Sequence, residues 1–112
     1  MIFVISDDIT LADNLNEILL LNGVQQTRIK DNYILHDDDI AHGVELIIYF
    51  NSTDPYGERL KWYLLANQLD HIPVIFLASA APQNHNPLHK YIKIPFEIND
   101  ISSAISHFFA LR

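Results

Sequence analysis

The chain has 112 residues, no cysteine, and 14 acidic against 7 basic side chains, for a formal net charge of −7. That length makes one domain, residues 1–112, with enough core to need no disulfide or metal staple. The charge argues against direct binding of nucleic acid or anionic lipid, and the missing thiols exclude disulfides, thiolate catalysis and cysteine-held metal centres.

The opening "MIFVISDD" has an apolar run of five residues, no positive flank and two aspartates at once, so it does not read as a targeting segment. No apolar stretch approaches the roughly 20 residues a membrane span needs, and the expectation is a soluble cytoplasmic domain. Residues 2–5, "IFVI", read as a strand covered on both faces. "ITLADNLNEILLLNG" then predicts a helix over about 10–22. Thr10 is its candidate N-cap, Asp13 the capping-box partner and Gly23 the C-terminal stop, with Leu11, Leu15, Ile18, Leu19 and Leu20 turned inward. "VQQTRI" (24–29) is a weak second strand, and a short or distorted helix is expected around 36–42.

"VELIIYF" (44–50) is a third strand, again apolar on both faces, running into the turn-rich "NSTDPYG". "ERLKWYLLANQL" (58–69) predicts a helix with Leu60, Tyr63, Leu64 and Leu65 towards the core and Trp62 at the core or its edge. "IPVIFLAS" (72–79) is the fourth strand. "AAPQNHNPLH" has two prolines and no helical period. "KYIKIPF" (90–96) is the fifth strand, and "INDISSAISHFFAL" repeats Ile98, Ile101, Ile105 and Phe108 as an amphipathic closing helix. Doubly buried strands alternating with helices call for a parallel sheet. Right-handed crossovers make it an α/β three-layer α/β/α sandwich of the flavodoxin type, strand order 2-1-3-4-5. In that topology functional groups sit at the carboxyl ends of the first and third strands, here "SDD" (6–8) and Phe50–Asn51.

On these residues the chain resembles, over its whole length, the receiver domain of bacterial response regulators. "VISDD" matches the first strand with its acidic end, "ELIIYF" the strand that ends in the phosphoacceptor aspartate, "IPVIFLAS" the fourth strand and "YIKIPF" the fifth. The chemistry that the resemblance implies is missing, position by position. Ser6 stands for the first acid, with Asp7 and Asp8 beside it. Phe50 stands at the phosphoacceptor, Ala78 at the Thr/Ser position and Ile94 at the lysine. Ser79 and Lys93 are each one residue out of step, and consecutive strand residues point to opposite faces. A phenyl ring offers no nucleophile, and one aspartate with a serine is a poor magnesium site. A lysine at 94 facing no carboxylates would be a buried unpaired charge, a penalty that isoleucine removes. Apolar Phe50 and Ile94 could pack together, filling the site.

The resemblance carries further expectations. The receiver helix between strands four and five must be shortened, displaced or absent in "SAAPQNHNPLH", and the peptide before Pro95 should be cis. The degenerate third strand, the proline-bearing segment and the ending "IKIP" are similar to the N-terminal domain of flagellar sigma-54-dependent transcriptional activators. The implied protein is a non-enzymatic pseudo-receiver without cofactor, acting through protein partners. It would dimerise along strand five and the closing helix, or contact following domains, through Tyr91, Lys93, Ile98, Ile101, Ile105, Phe108 and Phe109. A stand-alone adaptor, a small-ligand sensor, and a receiver phosphorylated at a displaced Asp54 are the alternatives, the sensor disfavoured by only 3 glycines and no phosphate loop. Asp7 and Asp8 read either as a residual cation site or, more plainly, as carboxylates at a helix N-terminus. "HDDDIAH" (His36 to His42) and the His85/His89 pair read as solvated surface before metal ligands, and "NST" at 51–53 as a chance sequon.

Overall fold

Alternation along the strands decides which side chains meet on each face of the sheet. The computed structural model describes residues 1–24, 27–32, 34–35 and 43–110; the helix expected at 36–42 and the "HDDDIAH" histidines lie outside them. Strands β1 (Ile2–Ser6), β2 (Thr27–Lys30), β3 (Leu46–Phe50), β4 (Val74–Ala78) and β5 (His89–Lys93) form one sheet of order β2-β1-β3-β4-β5. Every pairing is parallel, so each crossover must pass over a face. The central strands β1 and β4 are buried at every position, as continuous apolar runs require.

Helices α1 (Ile9–Leu21) and α3 (Ile98–Ala110) cover one face. Their Leu15, Leu19, Ile101 and Ala104 meet Ile2, Val4, Ile48 and Leu77 of the strands. Helix α2 (Glu58–Ala66) covers the other, where Leu60 and Leu64 meet Phe3, Ile47, Tyr49 and Phe76. The result is the three-layer sandwich expected, with strands in the expected order. Residues 79–88 form no helix, so the connection from β4 to β5 crosses as an open chain. The Ile94–Pro95 peptide is cis.

Several local expectations are corrected. The N-cap of α1 is Asp8, not Thr10: its backbone is extended (φ −116°, ψ 111°) and its carboxylate accepts from the Leu11 amide at 3.1 Å. Gly23 does close the helix, at φ +80°. Leu20 and Leu65 are exposed, because each lies about 100° round its helix from the buried Leu19 and Leu64. Trp62 is 71% exposed and belongs to no core. Ile101, Ile105 and Phe108, offered as interface residues, are buried against the sheet. Ile98, at the start of the same helix, is 54% exposed, and Phe109 is only partly buried.

Candidate functional site

β1 and β3 end side by side, with Ser6 and Phe50 in register. Both lie at the crossover of the sheet, where the chain leaves β1 towards β2 on one side and β3 towards β4 on the other. This is the position at which a parallel α/β sheet opens a crevice beyond its carboxyl ends.

The polar groups at this crevice are bound up in its own loops. The buried Ser6 hydroxyl donates to the Asp8 carbonyl at 2.9 Å and accepts from the Asp8 amide at 3.0 Å, knotting the β1–α1 turn. The Asp8 carboxylate caps α1. Asp7 reaches across the crevice, its Oδ2 accepting from the Ser52 amide at 3.1 Å and the Ser52 hydroxyl at 2.5 Å. Asn51 turns its Oδ1 onto the amide and hydroxyl of Thr53, at 2.9 and 2.7 Å. The Asp7–Ser52 bonds hold the β1 and β3 loops together.

The other positions that the resemblance singles out, Phe50, Ala78 and Ile94, are apolar. Phe50 and Ile94 are both half-buried and both pack against the cluster under α1 and α3, as does Phe96. Ala78 is buried, in register with Lys93, and its carbonyl accepts from the Ile94 amide at 2.8 Å. Ser79 and Lys93, the residues one step out of phase, are exposed. Asp7 and Asp8 follow β1 directly, and Asp13 and Asp31 line the cavity beside Ser6, but Asp8 already serves a helix cap and no three such side chains among the described residues converge on one point. A hard divalent ion needs several oxygens in octahedral array, which this set does not bring together.

Asp54 is built into the opposite layer. It is only 6% exposed, and its Oδ2 accepts from the Tyr49 hydroxyl at 2.7 Å and from the Arg59 amide at 3.2 Å. Tyr49 belongs to the α2-side cluster, one residue and one face away from Phe50. Gly57, the N-cap of α2, has no side chain to bond the helix, so Asp54 supplies that acceptor from three residues upstream. The carboxylate is a structural cap, occupied on both counts. The sequence carried a usable signal: a tyrosine facing inward on a core strand needs a polar partner, and Asp54 is the first acid after it.

A second constellation went unread in the sequence. On the α2 face, Tyr91 stacks on Phe76 (centroids 4.7 Å, planes 16° apart) and His89 meets the same ring edge-on at 5.3 Å. Lys61 places its Nζ 5.3 Å from the Phe76 ring and 5.1 Å from that of Tyr91. The Tyr91 hydroxyl donates to the Tyr56 carbonyl at 3.0 Å. Burial first, and then the charge of Lys61, holds the His89 imidazole below its ordinary pKa.

The fold is that of response-regulator receiver domains. The N-terminal domain of the nisin resistance regulator NsrR, a lantibiotic response regulator, superposes with a TM-score of 0.64 at 20% identity, over 96% of this chain and 95% of that one. Response regulator RPA3017, from red light signaling of R. palustris, gives 0.65 at 16% identity, over 99% and 92%. No family model matches the chain, and no curated protein matches it. No helix among the described residues is long and apolar enough to cross a membrane.

Proposed function

We propose that this chain is a pseudo-receiver: a regulatory domain that accepts no phosphate and works by protein contact. One observation carries the reading. The residue in register with Ser6 at the end of β3 is Phe50, whose ring packs against the core where a receiver would present its carboxylate. Ile94 joins the same cluster at the position of the receiver lysine. Phosphoryl transfer depends on positioned charges, and neither residue supplies one. The domain would then control an attached effector by changing its own association along β5 and α3. With Ile101, Ile105 and Phe108 in the core, that surface reduces to Tyr91, Lys93, Ile98 and Phe109. The finer reading, the regulatory domain of a flagellar sigma-54-dependent activator, rests on the missing helix before β5 and the "IKIP" ending. A stand-alone adaptor has the same surface and no effector.

The test is exposure to a small phosphodonor and to beryllofluoride with Mg²⁺. The expected result is an unchanged intact mass and no Mg²⁺-dependent change in Trp62 emission. A stoichiometric adduct at any aspartate would overturn the reading.

A further inference from the structure

Asn22 is followed by Gly23, the single Asn-Gly pair in the chain. Such a pair is the one in which an asparagine most readily loses its amide, because glycine has no side chain to shield its own nitrogen. That nitrogen attacks the asparagine Cγ and a C–N bond forms. The Cγ–Nδ2 bond breaks, and the proton of the attacking nitrogen leaves with Nδ2 as ammonia. Water then opens the five-membered imide at either carbonyl, giving aspartate or isoaspartate. Water is the only other reactant.

The end of α1 leaves room for this chemistry and, in the same geometry, withholds it. Asn22 and Gly23 are both exposed and border a cavity of about 260 Å³ with Met1, Val24 and Phe109. A Cβ on Gly23 would meet nothing within 4 Å. The Gly23 amide, however, is committed to the Leu20 carbonyl at 3.0 Å, and the Val24 amide to that of Leu19 at 3.0 Å. These are the two bonds of a Schellman ending, with Gly23 in the left-handed region. Asn22 has ψ 9°, which turns the Gly23 nitrogen away from the Asn22 side chain, whereas ring closure needs the two eclipsed about the Cα–C bond. The leaving group is held as well. Nδ2 donates to the Ile18 carbonyl at 2.8 Å and to the hydroxyl of Ser102 on α3, 80 residues away, at 3.0 Å.

We propose that Asn22 is a deamidation site of this domain, restrained in the native fold by Ser102 and entered only when the end of α1 opens. The product cannot restore the restraint. A carboxylate at 22 has no N–H for the Ile18 carbonyl, and it faces the negative end of the α1 dipole. Isoaspartate also lengthens the backbone by one carbon beside the Gly23 and Val24 bonds. The modification therefore removes the Asn22 amide link between α1 and α3, and adds one negative charge to a chain of −7. It stands apart from the pseudo-receiver reading, and neither depends on the other.

The 112-residue chain is aged at mildly alkaline pH and physiological temperature, in buffer and in urea, and conversion at each asparagine is followed by peptide mass spectrometry with isoaspartate labelling. In urea Asn22 should convert faster than any other asparagine. In the folded chain its conversion should be about tenfold slower or more. Ser102→Ala should speed the folded-state reaction about threefold or more and leave the rate in urea unchanged, whereas Ser102→Thr, which keeps a hydroxyl, should behave as the parent. Tyr91→Phe, a mild change on the other face of the sheet, separates local opening from global loss of stability and should leave the Asn22 rate unaltered. The proposal is overturned if Asn22 does not convert in urea, if it converts equally fast folded and unfolded, or if Ser102→Ala matches the parent. Equal acceleration by Tyr91→Phe would also overturn it, by making global unfolding the route.

Discussion

Tyr91 lies almost parallel on Phe76, 4.7 Å between ring centroids, at a point where the fold would otherwise lay a helix. Residues 79–88 form no helix over that ring and bury none of their own side chains. Tyr91→Ala should therefore cost about 2–4 kcal/mol, combining lost burial, the ring pair and a newly wetted Phe76. Tyr91→Phe keeps the stack and loses the bond to the Tyr56 carbonyl, for about 1 kcal/mol or less. Urea unfolding of the two variants distinguishes a stacking role from a hydrogen-bonding one.

Gly57 closes the same cover from the other side. Its φ is +71°, and a Cβ there would lie 2.1 Å from the Phe76 ring, with Phe76 itself held by Tyr91. Gly57→Ala combines left-handed strain with overpacking of a ring that cannot move. A loss of about 2–4 kcal/mol is expected, read as a lower urea midpoint at unchanged slope.

The Tyr49–Asp54 pair makes an asymmetric prediction. Asp54→Ala removes the acceptor 2.7 Å from the buried Tyr49 hydroxyl and strips α2 of its cap, for about 2–4 kcal/mol. In the Tyr49→Phe background the same change should cost about 1 kcal/mol less, because the bond it breaks is already absent. Additivity in the double-mutant cycle would remove the coupling.

Placing an aspartate at 50 should not create a phosphoacceptor. Phe50→Asp places a carboxylate among apolar neighbours, with Ile94 where a cation would be needed and the Ser6 hydroxyl already tied to Asp8. The variant should be less stable by about 2–4 kcal/mol and still form no beryllofluoride adduct.

His89 sets a pH dependence with a definite sign. Its pKa is lowered in the folded state, so as the pH falls the unfolded chain takes up the proton first. Stability should decline as the pH drops below about 6.5, until the folded-state pKa is reached, and this contribution should level off beneath it. His89→Gln should flatten that part of the profile. A ¹H–¹⁵N titration of the imidazole gives the folded pKa directly, and a value at or above that of an exposed histidine would contradict the burial argument.

The division between what could be read and what could not follows from the range of each interaction. Continuous apolar runs such as "IFVI" and "VIFLA" identify doubly covered strands, and with handed crossovers they lead to a five-stranded parallel sheet before any coordinates. The absence of a nucleophile at Phe50 and of a cation at Ile94 is likewise a property of residue type, legible at once. The exposed positions were not. Leu20, Leu65 and Trp62 are apolar residues at plausible helical spacing, and only the angle at which each helix meets the sheet turns them outward. The same holds for the Asp7–Ser52 bridge and for the Lys61, His89 and Tyr91 cover over Phe76, which join residues far apart in the chain.

By itself, then, the order of residues determined the sheet, its layers and the absence of a nucleophile at position 50, because those depend on periodicity and on chemical groups being present or absent. Tertiary structure alone decided where Asp54 points, which stripe of α3 is core, and that Tyr91, His89 and Lys61 gather on Phe76 beside α2. Those outcomes depend on distances across the fold, and pairwise distance is what a linear pattern does not contain.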